Sequence, residues 1–264
     1  MTSIIRFDDG AAYERYMGQW SQLAGEAFLR WLAPPPNLRW LDVGCGNGAF
    51  TETLVKRCAP ASLQGIDPSA EQLAYARTRP LLRDALFRQG DAMDLPFPDA
   101  VFDAAVMPLV IFFLTNPAKG VAEMARVVAP GGIVTSYGWD MAEGGFPYAM
   151  LFREMIAMGL EVPAPPSPEA SRRDRLLEFW TAAGLDGIDT TEIVVERAFA
   201  DFAEYWTTIL GSASVGRQLR ALSTHDVARL QARLQACLPA DATGRITYGS
   251  RANAVRGSVK PARL

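Results

Sequence analysis

Apolar side chains recur along the opening segment at steps of three and four: Tyr16, Trp20, Leu23, Ala27 and Trp31. That period predicts an amphipathic helix over 13–32, stopped by the prolines at 34–36. From there short apolar runs alternate with helical patterns. Leu38 to Val43 reads as a strand that breaks into glycines, and Phe50 to Cys58 as the helix after it. Ser62 to Ile66 predicts a second strand, with Ala70 to Thr78 as its crossover helix and Ser69 as a cap. Leu86 to Gln89 and Phe102 to Met107 give a third and a fourth strand, and Pro117 to Val128 a helix. A glycine turn at Gly131 and Gly132 then leads into a strand over Ile133 to Trp139. Such βαβ alternation predicts a parallel sheet with helices on both faces.

Beyond Trp139 the rhythm changes. A helix is expected around Tyr148 to Gly159, a proline-rich loop over Pro163 to Pro168, and a helix over Arg173 to Ala183 ended by Gly184. Ile188 to Phe199 alternates as a strand, and Arg245 to Val255 suits a last one. Between them, Asp201 to Leu238 holds two helical patterns, around 202–210 and 226–237, and reads as an inserted cap. The expected organisation is a single domain over 1–264: an N-terminal helical segment at 1–37, a core at 38–140 and a second half at 141–264 with the insertion at about 201–238.

Composition narrows the function classes. The 264 residues are 49% hydrophobic and 21% charged, as in an ordinary globular chain. A net charge of −3 offers no footprint for a polyanion, so nucleic acid is not the expected partner. The basic cluster Arg172, Arg173 and Arg175 reads as a solvated helix face rather than a phosphate site. Cys45, Cys58 and Cys237 lack metal-ligand or disulfide spacing, so no metal is expected and a cytoplasmic location is. No apolar run approaches the ~20 residues of a membrane span, and no targeting segment is expected.

Candidate chemistry gathers at the strand ends. Asp42 precedes Gly44, Gly46 and Gly48, glycines that allow a tight turn and a close approach of ligand to backbone. Asp42 itself would lie within reach of a ligand's ammonium group. Asp67, followed by Pro68, ends the second strand about 20 residues past the glycines, where a carboxylate accepts from ribose hydroxyls. Nicotinamide and S-adenosylmethionine sites share both features. The turn Gly90 to Phe97 adds Asp91, able to accept from an adenine amino group, with Ala92 and Met93 offering an amide and an apolar surface.

With these pieces in this order, the chain resembles the Rossmann-like, class I S-adenosylmethionine-dependent methyltransferases. Within them it is similar to the group of ubiquinone and menaquinone C-methyltransferases, methyltransferase type 11; the resemblance spans Trp40 to Trp139. It implies an α/β, doubly wound, seven-stranded sheet whose last strand runs antiparallel, with 188–199 and 245–255 as strands six and seven. It also implies S-adenosyl-L-methionine as cofactor, its methionine part among Gly44, Gly46 and Gly48 and its amino group near Asp42. Asp67 and Pro68 would serve the ribose, Asp91, Ala92 and Met93 the adenine, and Met107 would face the sulfonium.

The acceptor is open. Where relatives that methylate amide or exocyclic nitrogens carry Asn or Asp before Pro, this chain has Met107-Pro108-Leu109, which disfavours nucleic-acid N-methylation and suits a small apolar or aromatic molecule methylated on O, N or C. Alignment of the nucleophile, more than a dedicated base, is the expected source of rate. Tyr137 and Asp140, at the end of the fifth strand, are the candidates for contact with the acceptor. His225, the only histidine, is a third candidate, although a cap or surface role is favoured. Tyr13, Tyr16 and Trp20 could cover the cofactor with aromatic faces or simply pack in the core; Tyr16 is the one carried forward. The rival readings are a nicotinamide-dependent oxidoreductase and a non-catalytic S-adenosylmethionine-binding protein. A monomer or homodimer is expected.

Overall fold

The computed structural model describes residues 14–212 and 215–261. Seven strands form one sheet in the order β3-β2-β1-β4-β5-β7-β6. They are β1 (Arg39–Val43), β2 (Ser62–Asp67), β3 (Leu86–Gln89), β4 (Phe102–Pro108), β5 (Val128–Trp139), β6 (Asp186–Phe199) and β7 (Ile246–Ser258). β1 to β5 pair in parallel, and β7 runs antiparallel between β5 and β6. The central strands β1 and β4 are almost wholly buried, as a parallel sheet covered on both faces requires of apolar runs.

Around the sheet lie α1 (Gln19–Leu32), α2 (Ala49–Cys58), α3 (Ala70–Ala76), α4 (Pro117–Val127), α5 (Ala149–Ala157) and α6 (Arg173–Ala182). α1 packs on α2 and β6, burying Trp20, Phe28 and Leu32. A π-helical turn, Glu14–Gly18, precedes it; Tyr13 lies outside the described residues. Ser69 caps α3 as expected, its Oγ accepting from the Gln72 amide at 3.2 Å.

Between β6 and β7 the chain forms α7 (Phe202–Leu210), α8 (Val215–Arg220) and α9 (Thr224–Cys237). The expected insertion therefore holds three helices rather than two. The third, α8, is six residues long, too short for a helical period to register. A second difference lies at the expected glycine turn before β5. The strand runs through it as a bulge: Phe102 pairs with Val128 and Ala104 already with Ile133. Backbone bonds from Gly131 to the Val259 carbonyl (2.8 Å) and from Val259 to the Gly132 carbonyl (3.0 Å) hold that bulge in the sheet.

Candidate functional site

The parallel strands all end on one side, and the crevice there is where such sheets bind ligands. β1 runs into the loop 44–48. The Gly44 and Cys45 amides both donate to the Ile66 carbonyl, at 2.8 and 3.1 Å, so the loop is folded back onto the end of β2. Asp67 completes the turn: its two carboxylate oxygens accept from the Gly46 and Ser69 amides, each at 2.9 Å. Burial raises the Asp67 pKa in spite of these two amides. A Cβ built on Gly46, at φ +52°, would meet nothing nearer than 3.9 Å, so this stretch of backbone faces open space.

That space is a cavity of about 440 Å³, within the range of small-molecule sites. One half is lined by Gly44, Gly46, Asp67, Pro68, Asp91, Ala92 and Met93, all singled out in the sequence. Asp91 is exposed, and its Oδ1 accepts from the Met93 amide at 2.8 Å, which orders the turn after β3. The other half is apolar. Leu109 and Phe112 come from the segment after β4, Trp139 from the end of β5, Phe146 and Phe152 from the α5 region, and Val215 from the insertion. Apart from Leu109, sequence reasoning missed these, because an apolar lining residue has the same signature as core. Leu109 is the exception with a structural mark: it adopts φ +59°, a left-handed conformation uncommon for leucine, as its amide donates to the Tyr137 carbonyl at 2.7 Å.

Two aromatic candidates also line the cavity. Tyr16 stacks on Tyr148 with ring centroids 4.3 Å apart, and the Tyr148 hydroxyl donates to the Tyr16 carbonyl at 2.7 Å. Tyr137 presents its ring, stacked on Phe28 at 4.5 Å, while its hydroxyl lies 3.1 Å from where a Cβ on Gly25 would sit. The phenol oxygen thus points under α1.

Besides Asp42, four expected residues fall elsewhere. Gly48 caps α2 and packs toward Leu82. Met107 is wholly buried on β4 and turned toward Gly120 of α4, 3.5 Å from where a Cβ there would be, so Pro108, Leu109 and Val110 take the place expected of it. Asp140 is buried in an ion pair with Arg251 at 2.7 Å and accepts from the Glu143 amide. It ties the end of β5 to β7 and does not line the cavity. His225 is exposed in the first turn of α9 and does not line the cavity.

Asp42 lies beneath the glycine loop, wholly buried. One oxygen accepts from Thr51 Oγ1 at 2.6 Å and the other has no donor. Burial pushes its pKa from 3.8 up to about 7, with the Asp67 charge adding to the rise and the Thr51 bond opposing it. Between those two values the unfolded chain has released a proton that the folded chain keeps. Each step of rising pH there favours unfolding, and above about 7 the slope vanishes because both states are ionised. Thermal melts of the free protein should therefore show a fall in midpoint across this window that Asp42→Asn flattens. An unchanged pH profile in the variant would remove Asp42 as its source.

Residues 41–136 match a family described as a methyltransferase domain. A chloroplastic 2-methyl-6-phytyl-1,4-hydroquinone methyltransferase 2 of Oryza sativa subsp. japonica is 39% identical over 101 residues, 38% of this chain and 29% of its own length. A fatty-acid O-methyltransferase of Mycolicibacterium smegmatis is 39% identical over 192 residues, 66% of this chain and 60% of its own length. The chain thus spans less than two thirds of either relative. Among solved structures, a phosphoethanolamine N-methyltransferase 2 of Haemonchus contortus in complex with S-adenosyl-L-methionine superimposes with a TM-score of 0.58 at 19% identity, covering 95% of this chain and 56% of that one. That likeness is one of fold: a Rossmann-like sheet with its last strand antiparallel.

Proposed function

We propose that this chain, whose residues 41–136 match a methyltransferase-domain family, transfers the methyl group of S-adenosylmethionine to an O, N or C nucleophile of a small, apolar or aromatic molecule. The observation that carries the reading is the division of one cavity into a half of glycine backbone and carboxylates and a half without charged side chains.

The residues present fit the cofactor. Gly46 offers open backbone and Gly44 a lining position to its methionine part, and the donor-less oxygen of Asp42 beneath them suits a nearby ammonium. Asp67, with both oxygens oriented by amides, keeps lone pairs for ribose hydroxyls. Asp91, Ala92 and Met93 would hold the adenine, and the ring of Tyr16 would cover the site. When bound, the cofactor supplies an activated methyl group. The protein's own part is to orient the acceptor, exclude water and present an apolar wall, Pro108 to Phe113, beside the glycine loop. The acceptors for which the two relatives are named, a phytyl hydroquinone and a fatty acid, have apolar bodies that such a wall would accommodate. Among the described residues no helix is long and apolar enough to cross a membrane; we read the protein as one cytoplasmic unit, a monomer or homodimer.

Parallel calorimetric titrations with S-adenosylmethionine, S-adenosylhomocysteine and NAD test the reading. Binding of the first two and not the third is expected. Binding of NAD alone would revive the oxidoreductase, and tight S-adenosylmethionine binding without turnover on any acceptor would favour a binding protein.

A further inference from the structure

We propose that Gln72 is a second ribose-binding residue of the cavity, its carboxamide donating to a hydroxyl from which Asp67 accepts, so that the site selects a nucleoside with both ribose hydroxyls free. This rests on the methyltransferase reading and deepens it.

The first observation is a polar side chain on the buried stripe of a helix. α3 buries Gln72, Leu73 and Ala76, and positions 72 and 76, four apart, share one face. Gln72 is only 4% exposed. A carboxamide taken out of water costs free energy unless its hydrogen bonds are made, whereas a leucine or methionine of similar size carries no such cost. Packing alone therefore gives no reason for glutamine at this position.

The second observation is where the carboxamide lies. Gln72 lines the cavity, and its Oε1 is the atom nearest to where a Cβ on Gly46 would sit, at 3.9 Å. The same Gly46 donates its amide to one oxygen of Asp67. The other Asp67 oxygen accepts from the Ser69 amide, and Ser69 Oγ accepts from the Gln72 amide. These bonds fix the start of α3 to the carboxylate, so that Gln72 and Asp67 border the same stretch of open backbone.

The two side chains are chemically complementary. An ionised carboxylate only accepts, and a hydroxyl that donates to it keeps lone pairs that call for a donor. A carboxamide supplies one. It carries two N–H donors and two lone pairs, so an interaction within the protein leaves others for a ligand. A half-turn of the amide exchanges its oxygen and nitrogen ends, which brings Nε2 to the place of Oε1 over Gly46. A nucleoside without the hydroxyl would leave a buried donor and a buried acceptor unpaired, which is how polar sites reject a lacking analogue.

The test is calorimetry of the free protein with S-adenosylhomocysteine and its 2′-deoxy and 3′-deoxy analogues, on the wild type, Gln72→Met and Gln72→Leu. Both substitutions keep an apolar body in the helix stripe and remove the carboxamide. Each variant is expected to bind S-adenosylhomocysteine about tenfold more weakly than the wild type does. For one of the two deoxy analogues the loss should shrink to within about twofold, because the hydroxyl that Gln72 serves is already missing. A merely structural role would weaken all three ligands by the same factor, and that result overturns the proposal. Wild-type affinity for S-adenosylhomocysteine in either variant overturns it as well. Should neither variant fold, the wild type still decides: equal affinity for the three ligands means that no pair of side chains reads the hydroxyls. Failure of the wild type to bind S-adenosylhomocysteine sinks the methyltransferase reading itself, whereas binding it with uniform losses in the variants sinks only this inference.

Discussion

Asp67→Ala is expected to weaken S-adenosylmethionine binding by about 3 kcal/mol, roughly a hundredfold, from the loss of charge-assisted hydrogen bonds worth ~1.5–3 kcal/mol each. The carboxylate has two tasks. Toward the protein it holds the Gly46 and Ser69 amides, both at 2.9 Å, and so fixes the glycine loop to the turn after β2. Toward the ligand it presents its remaining lone pairs to a pair of ribose hydroxyls. Removing it strips both sets of acceptors at once. Asp67→Asn separates charge and donor pattern from size: its amide would set an N–H against the amide of Gly46 or of Ser69, so this near-isosteric change should recover little of the affinity. Calorimetry with S-adenosylhomocysteine decides the point, and affinities within about twofold of wild type in both variants would take Asp67 out of the site.

The half of the cavity lined by glycines and carboxylates could be read in the sequence because its residue types are set by local turn chemistry. A loop that folds back onto a neighbouring strand end needs glycines, and a carboxylate that gathers two amides has few substitutes, so Gly44, Gly46 and Asp67 carry their roles on their faces. β1 and β4 were legible for a related reason, since burial on both faces leaves apolar runs, interrupted here only by Asp42 and Asp103.

The apolar half was legible only at Pro108, Leu109 and Tyr137, because the rest of its wall is drawn from separated stretches of apolar residues, from Val110 to Val215, that only the fold brings together. Asp140 misled for a similar reason: its partner Arg251 stands 111 residues away, and a strand-end acid with an unseen partner resembles a free one. Met107 failed on parity. One residue along a strand turns a side chain to the opposite face, and the chain reaches the cavity only at Pro108 and the left-handed Leu109.

That segment also explains why Gly44 should be the least tolerant position of the loop. At φ +74° an alanine is strained, and its Cβ would press into both methyl groups of Val110, one of them at 2.9 Å. The left-handed backbone costs ~1–2 kcal/mol for an L-residue, and overpacking a close-packed contact adds ~1–3 kcal/mol. Gly44→Ala is therefore expected to lose about 3 kcal/mol of stability in denaturant titrations, with cofactor affinity falling as the loop is displaced. The two costs can be separated. Val110→Ala removes the methyl groups but leaves the backbone angle untouched, so the double variant should recover the packing part alone, a coupling of about 1–2 kcal/mol between residues in contact. Additivity within about 0.5 kcal/mol would mean that Val110 does not confine the loop. A measured coupling would establish that the loop expected to hold the cofactor and the wall expected to face the acceptor are packed as one unit. A change on either side would then be felt on the other, since no slack in the contact absorbs it.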